Sequence, residues 1–208
     1  MPTNSDPRPT HRTAVLATVA AVYSIRPDDL RRPTPCAGWN LLDLLAHMTV
    51  QHRGFAAAAR GTGDDPSAWD VAAVRDAVAS FPADTYIEAA DDVLEAFAAD
   101  DILTRQFVLP DFGPGATFPG TIAIGFHLVD YVVHGWDVAA TLRQEYTLPA
   151  DVIDATLPLA LAIPDGEFRS APNVPFGPAR SGSETGDLAQ LLRHLGRDPQ
   201  WNSTVTGA

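Results

Sequence analysis

Apolar residues recur every three or four positions through most of the chain, the spacing of helices that bury one face. Val15, Leu16, Val19 and Val22 predict a helix over residues 9–25. Pro27, Pro33 and Pro35 then break regular structure. Asn40 opens a second helix as its cap. Asp43, three residues on, completes a capping box and suits the positive end of the helix dipole. The stripe of that helix is Leu41, Leu44, Leu45, Met48 and Phe55; it contains His47 and fades before Gly61. Val71, Val74 and Val78 mark a helix over 68–81, and Asp84 is read as the cap of another running to 99. Residues 104–109 read as extended, a short strand, followed by the turn-rich PDFGPGATFPG. A long helix spans 121–143, and Pro149 sits in the first turn of one more, to 163. Residues 164–186 are rich in Pro, Gly and Ser, a loop length that marks either function or disorder. Leu188, Leu191, Leu192 and Leu195 make a short helix that Gly196 stops, and Trp201 is expected to dock the tail.

Four or more substantial helices with at most a token strand pair predict an all-α fold, an antiparallel bundle. Composition narrows this without changing it. The length of 208 residues, 46% hydrophobic, suits a single domain, 1–208, with 164–208 as loop and tail. A net charge of −12 argues against nucleic acid or anionic membranes as partners. The single cysteine, Cys36, excludes an intrachain disulfide framework and fits a reducing cytoplasm. No run approaches the ~20 apolar residues that cross a bilayer, and the first twelve residues lack the apolar core of a signal peptide.

Candidate chemistry lies on the long helix. Asp130 and His134 are four residues apart, so they sit ~40° apart on one face and ~6 Å apart along the axis. Their neighbours are Phe126, Leu128, Val129, Tyr131, Val132 and Val133. An ionisable pair in such a run must be paired, hydrogen-bonded or metal-bound to be buried at tolerable cost. Two readings stand: a hydrogen bond that ties the core, or two-thirds of a metal site. The best candidate for a third ligand is His47 on the second helix. His52 is ~140° around that helix from His47 and belongs elsewhere. His127 shares the stripe of Asp130 and His134 but is ~10 Å along the axis from His134, so it is read as a pocket wall or a partner of Asp130. Asp137, one turn beyond His134, is placed either to accept its spare ring N–H or to pair with an arginine. Asp43 shares a face with His47, but its cap explains it. Cys36 has no basic cluster beside it in sequence and reads as a small buried apolar residue. There is no Gly-rich phosphate loop, nucleophile elbow, C-x-x-C or H-E-x-x-H.

Three stretches together resemble one known family. They are TPCAGWNLLDLLAHM, LPDFGPGATFPG leading into HLVDYVVHGWDVAATL, and the closing LLRHLGRDPQW. The family comprises metal-binding proteins related to the N-terminal domain of mycothiol-dependent maleylpyruvate isomerase, within the DinB-like superfamily. The resemblance implies a DinB-like four-helix bundle holding a divalent metal at His47, Asp130 and His134. Zinc is the expected ion, with nickel or another as alternatives. The isomerase's motif carries glutamate where this chain has Asp130; the shorter side chain implies an ion nearer that helix, more weakly held, or of another kind. In place of the isomerase's separate C-terminal domain stand a loop, a short helix and the GRDPQW tail, so maleylpyruvate isomerisation itself is not expected. The expected activity is transfer or isomerisation dependent on a low-molecular-weight thiol, mycothiol, acting on a small-molecule electrophile, with a homodimer allowed. The alternatives are a non-catalytic metal- or ligand-binding protein and a metal-dependent hydrolase. His127 and the loop 164–186 are expected to shape the pocket, the loop as a lid.

Overall fold

The structure is a computed structural model that describes residues 6–170 and 176–202. Seven α-helices and one two-stranded sheet make up its regular structure among the described residues. Four helices form the bundle. α1 (Arg8–Val22) lies along α5 (Gly120–Leu142), α2 (Leu41–Ala59) lies along α4 (Pro82–Phe97), and the α1–α4 and α2–α5 contacts close the ring. α3 (Ala72–Ser80) packs on α2 and α4. α6 (Ala150–Leu161) lies against α1 and α5, and α7 (Asp187–His194) packs on α6. This is the all-α bundle expected from the periodicity, and the DinB-like four-helix bundle that the resemblance implies. No helix among the described residues is long and apolar enough to cross a membrane.

Local chemistry explains most of the boundaries. The capping box of α2 is present: the Asp43 amide donates to Asn40 Oδ1 at 3.0 Å, and the Asn40 amide donates to Asp43 Oδ2 at 3.1 Å. Asp43 also pairs with Arg75 at 2.6 Å. Asp84 is not a cap, contrary to expectation. α4 begins two residues earlier, with Pro82 in its first turn and no side-chain cap, and Asp84 lies inside that turn. Proline's fixed φ and missing N–H suit it to a helix start, and that overrides the cap signal. The helix expected over 68–81 is shorter. Residues Pro66–Trp69 form a 3₁₀ turn, and Asp70 Oδ1 accepts from the Ala72 amide where α3 begins. Strand β1 (Gln106–Val108) pairs antiparallel with β2 (Thr117–Pro119), with Phe107 opposite Phe118. β2 lies within the stretch read as turn; three residues ending in proline are too short to show an alternation.

The interior is closely packed. Leu41, Leu44, Leu45, Met48, Tyr86 and Tyr131 are fully buried where α2, α4 and α5 meet. Tyr131 reaches across from α5 to donate its hydroxyl to the Met48 carbonyl on α2. Gly135 permits close contact on the opposite side. A Cβ there would fall 2.3 Å from the Tyr146 hydroxyl and 2.6 Å from the Thr18 methyl of α1. The register between α2 and α5 is thereby set over the stretch that carries the histidines.

Candidate metal centre

α5 presents Asp130, His134 and Asp137 on one stripe, and α2 brings His47 to the same place. One ligand atom from each of His47, Asp130 and His134 lies within 4.8 Å of the other two. His134 Nε2 is 3.4 Å from Asp130 Oδ1, and the rings of His47 and His134 meet edge to face with centroids 5.2 Å apart. Two ligands on one tetrahedral zinc ion, with bonds of ~2.1 Å, stand about 3.4 Å apart. The donor set therefore fits a divalent ion in type and spacing: two imidazoles and one carboxylate, with His47 needing only a small closing movement.

Asp137 orients the site. Its Oδ2 is 2.9 Å from His134 Nδ1, so Nδ1–H donates to Asp137 and Nε2 is the ring nitrogen turned toward Asp130. Arg197, from the tail beyond α7, donates from Nη2 to the same Asp137 oxygen at 3.1 Å. Both partners left open for Asp137 by the sequence are thus present at once. The His134 ring is 3% exposed and Asp137 is fully buried, whereas the Asp130 side chain is 21% exposed. The cluster meets solvent through Asp130 and His47, both partly exposed, and the Trp39 ring stands 5.0 Å from that of His47.

The charges follow from this packing. Burial opposes protonation of His134, but Asp130 and Asp137 overcome it and raise its pKa to about 9. Burial dominates for His47 and lowers it to about 4, against the pull of Asp130. Asp130 and Asp137 are held below the ordinary carboxylate range: burial would raise each, and His134 and Arg197 prevail over it. His47 thus offers the neutral imidazole that a metal takes, while a metal must displace a proton from His134.

The other sequence-predicted residues fall elsewhere. His127 is fully buried in a second histidine cluster: its Nδ1 is 2.8 Å from His11 Nε2, and its Nε2 is 3.3 Å from His52 Nδ1. Its ring stacks on Tyr131 with centroids 4.2 Å apart. His52 is in that cluster too, as its angular offset from His47 required. Part of the proposed lid, 171–175, lies outside the described residues. The described remainder is fastened down, because buried Arg169 donates to the Pro164 and Ile163 carbonyls, both at 2.8 Å, and to that of His194 on α7. Cys36 has a basic neighbour after all, with Arg197 Nη2 at 3.7 Å from Sγ. Burial outweighs that cation and raises the thiol to about 11. Arg197 was not singled out in the sequence. Its only signal there is the GRDPQW tail, whose distance along the chain conceals the contact.

Comparison with known proteins agrees with this architecture. The chain is 30% identical over 194 residues to the uncharacterized proteins Rv0738 and MT0763 of Mycobacterium tuberculosis, covering 92% of this chain and 98% of each relative. The crystal structure of the mycothiol-dependent maleylpyruvate isomerase superposes with a TM-score of 0.60 at 12% identity, over 77% of this chain and 68% of that one. A histidine-to-alanine mutant of that isomerase superposes with a TM-score of 0.57 at 10% identity, over the same shares. At such identities the superpositions speak for the fold. A family model, the mycothiol maleylpyruvate isomerase N-terminal domain, matches residues 11–139, a span that holds His47, Asp130, His134 and Asp137. The chain therefore belongs to the mycothiol maleylpyruvate isomerase N-terminal domain family.

Proposed function

We propose that the protein binds a divalent metal ion, zinc foremost, through His47, Asp130 and His134, and uses it in a transfer or isomerisation that depends on a low-molecular-weight thiol. The observation that carries this reading is the convergence of the three ligand atoms on one point, with His134 Nδ1 occupied by Asp137. A fold-tying hydrogen bond between Asp130 and His134 would not require an imidazole from another helix at the same point.

Three protein ligands are the number found in catalytic rather than structural zinc sites, which keep a position for substrate. A divalent ion bound there supplies Lewis acidity, so that a coordinated thiol loses its proton near neutral pH. The chain's own residues do the rest. His47 arrives neutral because it is buried. Asp130 supplies the one negative charge among the ligands and stands at the solvent-facing edge. Asp137 keeps the His134 proton on Nδ1. Trp39 flanks His47.

Cys36 is a poor nucleophile with its thiol raised to about 11, so an external thiol suits this site better than a protein one. In the proposed reaction the thiol sulfur adds to one carbon of a substrate's electrophilic double bond, the thiol proton goes to solvent, and the π electrons pass to the conjugated carbonyl, with a solvent proton completing the adduct where it is kept. The sulfur either remains, as in a transferase, or leaves after rotation about the substrate's former double bond, as in an isomerase. The family's name makes mycothiol the first thiol to test, and a reducing compartment would keep it reactive.

Elemental analysis of the purified protein, followed by a conjugation assay with mycothiol and a reactive electrophile, tests the proposal. The expected result is one equivalent of zinc and zinc-dependent product. Metal without product would favour a binding protein on the same bundle, and metal-dependent hydrolysis without thiol would favour a hydrolase. A protein that takes up no divalent ion would end the metal reading altogether.

A further inference from the structure

α7 ends in a way that determines where the next side chain goes. Gly196 has φ +83°, and a Cβ there would come within 2.9 Å of the Gly177 backbone. Its amide donates to the Arg193 carbonyl at 3.0 Å, and the Arg197 amide donates to that of Leu192 at 2.8 Å. This is a glycine-terminated helix end, in which the left-handed residue reverses the chain. The reversal turns Arg197 into the protein, where it is 4% exposed.

Its guanidinium is held from several sides. Nη1 donates to the Leu195 carbonyl at 2.9 Å, Nη2 reaches Asp137 Oδ2 at 3.1 Å and Cys36 Sγ at 3.7 Å, and Nε stands 3.4 Å from both Asp137 oxygens. The Phe176 ring lies 5.6 Å from its central carbon. A buried carboxylate with an arginine fork on one edge and an imidazole N–H on the other has little freedom to rotate.

We propose that Arg197 is a positioning residue of the metal centre: through Asp137 it fixes the ring of His134, so that the chain beyond α7 completes a site whose ligands all lie in the bundle. This rests on the metal reading above. The family match ends at residue 139, so Arg197 lies outside the matched span. The charge count supports the role. Arg197 neutralises Asp137, which is not among the three proposed ligands, so the ligand set keeps Asp130 as its single carboxylate.

The test compares wild type with Arg197→Met and Arg197→Lys, reading the zinc dissociation constant by competition with a chromophoric chelator and the visible spectrum of the cobalt-substituted protein. Removing partners that orient ligands typically weakens metal binding about 10–100-fold. Arg197→Met should show a loss of that size and an altered cobalt spectrum while keeping wild-type helicity. Arg197→Lys, which restores the charge, should regain part of the affinity. Should Arg197→Met fail to fold because Asp137 is left as a bare buried charge, the double variant Arg197→Met with Asp137→Asn is compared with Asp137→Asn alone: equal zinc affinity is expected, because Arg197 acts through Asp137, and a further loss in the double variant overturns the inference. Wild-type affinity with an unchanged cobalt spectrum in the folded variant overturns the inference, as does a lysine variant no better than the methionine one. Failure of wild type itself to bind zinc would instead sink the metal reading, so the two failures are told apart.

Discussion

The same two helices carry two histidine clusters, and the clusters behave in opposite ways. α2 contributes His47 to one and His52 to the other; α5 contributes His134 to one and His127 to the other; α1 adds His11 to the second. At the metal centre, carboxylates from Asp130 and Asp137 raise His134 to about 9. In the triad of His11, His52 and His127, burial pushes all three down, His11 to about 3. The triad contains no carboxylate and is sealed by Phe55, Phe97, Tyr86 and Tyr131. Histidines alone in an apolar interior become hydrogen-bonded packing. Histidines with carboxylates and a partly exposed edge have the donor set for a cation. Residue type is shared and the neighbouring charge makes the difference for His134, whereas His47, partly exposed, is lowered to about 4.

Exchanging one histidine from each cluster for alanine separates them most sharply. His134→Ala should abolish stoichiometric zinc binding, with affinity lowered by at least ~10³-fold and helicity retained, because a tridentate site loses a ligand. His127→Ala should retain its zinc and instead lose stability, by about 2–4 kcal/mol, from the cavity and the two broken ring contacts. Metal content and thermal unfolding measured on both variants check the pair. Zinc lost from the His127 variant, or retained by the His134 variant, would mean that the two roles have been assigned to the wrong clusters.

Next in size is the response of the metal-free protein to pH, which should be governed by opposite signs. The triad's pKa values are lower folded than unfolded, so the unfolded state binds more protons as pH falls below ~6.5, and the stability present above that pH is lost. For His11, whose folded value is about 3, the loss between pH 6.5 and 5 is about 2 kcal/mol, and His52, His127 and, from the metal centre, His47 act in the same direction. His134 is raised, so its contribution is fully present below ~6.5 and disappears as pH climbs through about 9. Denaturant midpoints across pH 5–9 should therefore fall at both ends. Substituting His11 by Gln should flatten the acid limb alone, and substituting Asp137 by Asn should flatten the alkaline limb alone. An acid limb unchanged in the His11 variant would show that the triad does not govern it.

How much of this was legible beforehand follows from what each feature depends on. The bundle helices show in the sequence because the stripes of α2 and α5 have one period and unambiguous ends, such as Asn40 with Asp43. The cluster of three proposed ligands was legible because Asp130 and His134 are local neighbours in an apolar run, and the angular offset of His52 already removed it from the His47 side. The triad did not show, since it joins residues 11, 52 and 127, and nothing at His11 marks it as other than a helix residue. Arg197 escaped for the same reason: it lies 60 residues from Asp137 along the chain, and only the turn at Gly196 brings it back. β2 was lost because three residues carry no period. Local chemistry is legible where its partners share a helix; contacts made by the return of the chain are not.

The finest comparison concerns the length of one side chain within the centre. The isomerase motif resembled here has glutamate where this chain has Asp130, and the aspartate reaches a point 3.4 Å from His134 Nε2. That separation already suits two ligands on one ion. Asp130→Glu adds a methylene, which moves the carboxylate toward the solvent-facing edge, where the 21% exposure of the side chain gives it room. The expected outcome is retained zinc with affinity changed by no more than about tenfold, a small effect beside ligand removal. Competition with a chromophoric chelator reads that change, and the cobalt spectrum reports whether the ligand geometry shifts with it. A loss as large as that of His134→Ala would mean that the α2–α5 spacing here is matched to aspartate, and that the centre accepts its ion only at the distance this chain has set.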